Sequence, residues 1–323
     1  MSSCASPAAK RPRTEDTSEV AITRSEIWYL DGSVVLQAAN IQFRVHFGLL
    51  AAQSTVFSDM YAMPQPEEQS ELVDGCPLLE VQDDPQDVKN LLSVLYTPAL
   101  LLQTPLPLSF VASLLRLGAK YEFRDLLVVA VKWIHRQFPS TLEDFLARKD
   151  STNPIASSPG LLFDVLELAT EHDIQCSLPC IYYDIMQTPK REWVDGLIRP
   201  SRLRTADLRT CLVGFDKLSQ AQFQDGYVFS WMHKRPSTEN CLSLRVCSEE
   251  RRNCLRRYNS QEQRCSFITS FNVDRPRNQL SKYCSPCQQE IGDLLDAGRR
   301  KGWEDLPGVF GLPAWRDLKS GLP

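Results

Sequence analysis

The sequence predicts an α+β fold: a small mixed sheet with helices, then a helical segment, then a Cys-rich C-terminal module. Three observations carry this. Between Asp31 and Phe57 the apolar period switches from two to about 3.6 residues, the mark of a strand hairpin packed on a helix. Beyond Asp84, apolar residues return every three or four positions in successive stripes. Six of the eleven cysteines fall between Cys241 and Cys287.

The elements follow in order. Ser33 to Ala38 and Ile41 to Val45 read as strands joined at Ala39-Asn40. Leu49 to Met60 is helical, with Ser54 as a cap between two short helices. Met63 to Gly75 is a polar loop, and Leu78 to Val81 a third strand. Asp84 caps a helix that starts at Pro85 and carries Val88, Leu91, Leu92 and Leu95 on one face. After a loop from Thr97 to Pro107, Ser109 is expected to cap Phe110 to Tyr121, with Phe110, Leu114, Leu117 and Tyr121 as its stripe. Phe123 to Phe138 buries Leu126, Leu127, Ala130, Trp133 and Ile134.

These elements divide the chain into a disordered tail (1–24), a first domain (25–138), a linker (139–160), a helical segment (161–234), the Cys-rich module (235–318) and a short tail (319–323). Pro139-Ser140-Thr141 starts a short helix that runs to about Ala147, and the linker is Ser-, Pro- and Asn-rich from Asp150 to Gly160. Leu161 to Glu171 and Leu178 to Met186 are amphipathic helices. Leu203 to Trp231 is helical with an interruption at Asp225-Gly226, and Gln288 to Arg300 forms a helix in the last module. No internal repeat marks a propeller or solenoid.

With 36 basic and 40 acidic residues, charge is nearly balanced. Arg199 to Lys282 holds 16 basic against 8 acidic residues, a mild excess expected of a solvated face more than of a nucleic-acid stripe. No apolar run reaches the ~18 residues that span a bilayer, so no membrane partner is expected. The polar N-terminus lacks the apolar core of a signal peptide. A nuclear or cytoplasmic location follows as an expectation. Lys10-Arg11-Pro12-Arg13 is a short basic cluster of the kind import receptors read, or an ordinary solvated tail. In a reducing compartment the cysteines are expected as thiols or metal ligands.

Cys241-x5-Cys247 and, 36 residues later, Cys284-x2-Cys287 make two close pairs. Zinc takes four soft ligands in a tetrahedron, and two short loops donating two thiolates each satisfy it. A structural zinc on Cys241, Cys247, Cys284 and Cys287 is therefore expected, with Cys254, Cys265 and the more distant His233 as alternative ligands. Small buried side chains are the plain alternative. Cys284-Ser-Pro-Cys287 at the start of a helix also allows a thiol oxidoreductase, although such motifs follow the strand of a βαβ unit and Asn278 to Tyr283 makes a poor strand. Cys176-x3-Cys180 reads as a helix start with buried thiols.

His46, His135, His172 and His233 are the only histidines, and none lies in a catalytic pattern; His46 is expected to make a structural hydrogen bond. The glycines form no phosphate-binding loop, and Asp83-Asp84 is explained by capping and the helix dipole. A non-enzymatic protein is expected. The run Trp303, Leu306, Pro307, Phe310, Leu312, Pro313, Trp315 is expected to fold back as a clamp over the helices and the cysteine module, with a peptide groove as the alternative.

Asp31-Gly32, Phe43-Arg44-Val45-His46, Ser54-Thr55-Val56-Phe57, the helix Val88 to Tyr96 and Leu117-Gly-Ala-Lys-Tyr121 together resemble a BTB/POZ domain. Phe138-Pro-Ser-Thr-Leu142 and Gly302-Trp-Glu-Asp-Leu-Pro-Gly-Val-Phe-Gly-Leu-Pro-Ala-Trp315 resemble a large BTB-protein family of mushroom-forming fungi, which is similar in its two cysteine pairs as well. The resemblance implies a self-associating interaction module, often a homodimer, whose hairpin and first helices make the contact. Some relatives serve as adaptors of cullin-type ubiquitin ligases and others as transcriptional regulators. Phe47-Gly48 departs from the basic residue that many animal members place after the histidine, so their contacts at that helix do not carry over. Neither Kelch repeats nor zinc fingers of the Cys2His2 type follow. Residues around Phe43, Leu49, Leu50, Val56 and Phe57 are expected to divide between core and partner surface.

Overall fold

A computed structural model describes residues 21–63, 72–148, 153–188, 204–234, 240–260 and 280–322. Lys10-Arg11-Pro12-Arg13 and Cys265 lie outside them, as do most of the expected N-terminal tail and part of the 63–75 loop.

Five strands form one sheet in the order β1-β3-β2-β5-β4, with β1 Thr23–Trp28, β2 Val34–Ala38, β3 Ile41–Val45, β4 Leu72–Val73 and β5 Cys76–Val81. β2 and β3 are the expected hairpin, in register from Val34 opposite Val45 to Ala38 opposite Ile41. Two strands differ from expectation. β1 opens at Thr23, ahead of the expected domain start, and runs parallel to β3. It is an edge strand of polar sequence held by backbone bonds, such as the Thr23 amide to the Asn40 carbonyl at 2.8 Å, so it carries no apolar alternation to read. β4 lies within the expected loop. Asp74 and Gly75 both take positive φ (+49° and +76°), the two-residue turn that Asp-Gly favours, and fold Leu72-Val73 back on Cys76-Pro77.

Helices α1 (Phe47–Gln53) and α2 (Thr55–Ala62) follow the hairpin, then α3 (Pro85–Tyr96), α4 (Leu108–Lys120) and α5 (Arg124–Gln137) after β5. Ser54 caps α2, its Oγ accepting the Phe57 amide at 3.0 Å. Asp84 caps α3 through the Gln86 and Asp87 amides. Asp83 does something else: it accepts from Lys120 Nζ at 2.7 Å and from the Tyr121 hydroxyl, tying β5 to the end of α4. Ser109 is not a cap. Pro107, with its fixed φ, starts α4 earlier, and the Ser109 carbonyl instead accepts Ser113 Oγ. Phe43, Leu50 and Phe57 are buried in the core while Leu49 and Val56 stay half-exposed, which sorts the residues that sequence left undivided.

The segment expected as a linker packs on this domain. Thr141 caps α6 (Leu142–Ala147), whose Phe145 is buried. Pro154 to Ala156 pairs with Leu106, and Ile155 is 1% exposed with its amide on Gln137 Oε1. Its Ser/Pro/Asn composition reported irregular backbone, not absence of contact. Helices α7 (Leu161–Glu171) and α8 (Leu178–Gln187) follow as expected, and α9 (Thr205–Ala221) ends ten residues before Trp231. The cysteine module supplies α10 (Leu244–Ser260) and α11 (Ser285–Val309), the latter longer at both ends than Gln288 to Arg300.

Inside α11, Gly298 lies against the backbone of Tyr227-Val228. A Cβ there would stand 2.5 Å from the Val228 nitrogen. Helix propensity favours Ala over Gly by about 1 kcal/mol, but overpacking against immovable backbone costs about 1–3 kcal/mol. Gly298→Ala should therefore lower stability in urea titration, against its propensity.

The terminal aromatics fold back over the helices, the first half of the expected clamp; the ring contacts they make there are with α6 and α8. Trp303 donates from Nε1 to the Ser140 carbonyl at 3.0 Å and meets the Phe145 ring. Trp315 stacks on Trp303 at 9°, and Phe310 packs on Tyr182. The chain then docks over the start of α8: the Cys176 amide bonds the Lys319 carbonyl and Lys319 Nζ pairs with Asp173. Cys180 is buried as expected, and Cys176 Sγ meets His135 Nε2 at 3.1 Å. Burial lowers the pKa of His135, partly offset by the Ser320 backbone; burial also lowers that of His172, against Glu171 and with Arg116. Both favour the neutral ring in the fold. As pH falls below about 6.5 the unfolded chain binds protons first, so stability rises with pH through this window and is lost on acidification. The melting midpoint should drop between pH 7.5 and 5.5, and His135→Phe should flatten part of that slope.

Candidate metal centre

Two helix N-termini converge on one cluster. Cys241 lies in the loop before α10 and Cys247 in its first turn, where its amide bonds the Ser243 carbonyl. Cys284 is the N-cap of α11 in extended conformation (φ −65°, ψ 157°); Pro286 sets the first turn, and Cys287 follows within it. The four Sγ atoms lie within 4.8 Å of one another, and Cys241 Sγ stands 3.8 Å from Cys284 Sγ. A tetrahedron with metal–sulfur bonds of about 2.3 Å has edges of about 3.8 Å. A disulfide would require about 2.05 Å.

The surroundings suit anionic sulfur. The Cys284 amide donates to Cys247 Sγ at 3.4 Å, and the Leu242 and Cys287 amides point at Cys284 Sγ. Burial, the largest single influence on Cys284, raises its pKa, but these amides and its thiol neighbours together outweigh it and bring the pKa down to about 6. Burial, with the neighbouring thiols, pushes Cys247 and Cys287 up. Four adjacent thiols cannot all ionise on their own; a dication among them allows it. The positive ends of two helix dipoles offset part of the remaining negative charge. The donor set thus fits a tetrahedral metal ion with no position left for water.

The alternative ligands lie elsewhere. Cys254 Sγ contacts the Tyr283 hydroxyl at 3.4 Å and Arg257 Nη2 at 3.1 Å. His233 packs edge-on against Phe223. Among the described residues, Leu280 to Tyr283 forms a turn before Cys284, where the oxidoreductase alternative would place the end of a strand. Nearby, Arg251 is 2% exposed and donates to the Trp231 and Lys234 carbonyls and to Glu290, bracing α10 against α11. Sequence gave no signal for Arg251, because on α10 it reads as one more surface arginine. Arg252 pairs with Glu249, while Lys282 pairs with Glu250, so the positive segment is internally compensated here.

In the front domain, His46 makes the expected structural bond, Nδ1 to the Tyr96 hydroxyl at 2.9 Å, with Nε2 facing Asp31. A groove of 520 Å³ between α4 and α7 has an apolar floor with Asp164, Glu167, Glu171 and Arg116 around it. Arg116 is committed to Asp87 by two bonds of 2.7 and 2.8 Å. Among the described residues, no helix is long and apolar enough to cross a membrane.

A comparison with curated proteins finds no match. The family model of the BTB/POZ domain matches residues 28–137, the span from the end of β1 to the end of α5. The hairpin, the Ser54 and Asp84 caps and the α3–α5 core described above are what that match describes, so this chain carries at residues 28–137 a BTB/POZ domain, a module of protein–protein interaction.

Proposed function

We propose that this chain is a non-enzymatic interaction protein that self-associates through its BTB/POZ domain and holds one structural zinc on Cys241, Cys247, Cys284 and Cys287. The match at residues 28–137 carries the interaction role. The surface for a second copy is the face around β1, α1 and α2, where Ile22, Leu30, Tyr61 and Met63 are each more than half exposed. Light scattering on the full chain should give about twice 36.7 kDa at tens of micromolar. A monomer there overturns self-association. Zinc is chosen because a closed four-cysteine tetrahedron is the usual structural zinc site. Metal analysis should find about one zinc per chain, and a colourless protein.

A second reading is an adaptor of a cullin-type ubiquitin ligase. It is supported by the way α7 docks on α4 while Pro154 to Ala156 pairs with Leu106 and Gln137, extending the BTB/POZ domain into a larger receptor surface. Pull-down with a cullin separates the two. Salt-sensitive retention on DNA would instead favour a nuclear regulator, which the internal pairing of the α10 arginines argues against. The likeness to the fungal BTB family rests on the Phe138–Leu142 and Gly302–Trp315 motifs.

A further inference from the structure

The four cysteines are not equivalent. Cys247 is 0% and Cys287 2% exposed, each inside the first turn of its helix. Cys241 and Cys284 are half-buried at the mouth of the cluster, one from each pair, with their sulfurs 3.8 Å apart. Cys241 lies on loop, not helix, so its sulfur can close the remaining distance to Cys284 once a bound ion lets go.

We infer that Cys241 and Cys284 are an oxidative modification site at which hydrogen peroxide forms a cross-strap disulfide and releases the metal ion, an inference that rests on the zinc site proposed above. The Cys284 thiolate attacks one peroxide oxygen: an S–O bond forms, the O–O bond breaks, and the departing hydroxide takes a proton to become water. The Cys241 thiolate then attacks the Cys284 sulfur. The S–S bond forms, the S–O bond breaks, and the second hydroxide leaves as water on protonation. Two thiolates lose two electrons, and one peroxide becomes two waters with two protons from solvent. The ion is left with two of its four ligands. Because the new bond joins the loop before α10 to the cap of α11, the two helix starts stay tethered and thiol reductant with zinc rebuilds the site.

The experiment uses the full chain with its metal. Peroxide is added in steps, released zinc is read with an indicator dye, and cysteines are mapped by differential alkylation and mass spectrometry. The expected result is one ion released per Cys241–Cys284 disulfide, with Cys247 and Cys287 recovered as thiols, and reversal by dithiothreitol plus zinc. Metal retained under peroxide, or a Cys284–Cys287 crosslink in its place, overturns the inference while leaving the zinc site standing. A chain that never holds metal yet forms the Cys241–Cys284 bond overturns the zinc site and leaves the oxidant-facing pair standing.

Discussion

Replacing Cys284 and Cys287 together by serine should abolish the metal binding proposed for the cluster and unfold the C-terminal module. Both residues sit at the first turn of α11, and with them go half the ligands of the cluster. Structural zinc sites contribute about 10–16 kcal/mol of apparent binding free energy at neutral pH, as much as the whole stability of an ordinary domain. Among the described residues the module offers α10 and α11, a small core to set against that loss. Metal content should fall from about one ion per chain to none, and far-UV circular dichroism should lose the contribution of α10. The BTB/POZ domain should persist, since Val35, Leu92, Leu114 and Ile134 are buried on its own strands and helices, far from the cluster in sequence. Self-association should therefore survive in the variant. Retention of the ion would mean that other residues hold it.

How much of this was legible in the sequence depends on what kind of force holds each part. Hairpin, caps and stripes were readable because their signals are local: Asp84 before Pro85 is a cap whatever surrounds it, and the α8 helix starts at Leu178 where its apolar residues begin. The cysteine pairs were readable because two short-spaced pairs are a pattern in the sequence itself, and the four sulfurs do come together. β1 was not readable, since an edge strand at the surface is held by backbone bonds that leave no side-chain pattern. Ser109 misled for a related reason: two residues competed for one cap, and the fixed φ of Pro107 decided it. The docking of Pro154 to Ala156 and of Lys319 was hidden because Ser-, Pro- and Gly-rich backbone looks the same in sequence whether it is packed or solvated. Arg251 and the Arg148–Asp184 pair were hidden because charge predicts exposure until a partner is in view.

That last pair should dominate the stability of the junction between the BTB/POZ domain and the helices after it. Arg148, the C-cap of α6, donates from Nη1 and Nη2 to the two carboxylate oxygens of Asp184 on α8 at 2.6 and 2.5 Å. Its Nη1 also reaches the Gln137 carbonyl, and its guanidinium lies 4.0 Å over the Phe145 ring. The carboxyl of Asp184 is pushed up by burial, against the pull of Arg148. Removing one partner leaves a charge in a site built for two, so Asp184→Ala should cost about 3–5 kcal/mol. Replacing both with apolar residues of similar volume, Arg148→Met with Asp184→Leu, removes the uncompensated charge along with the bond and should cost far less than Asp184→Ala alone. The comparison is read by urea denaturation of the two variants and the parent. If the double variant is as unstable as Asp184→Ala, the bidentate geometry itself, not the avoidance of a lone buried charge, is what joins α6 to α8.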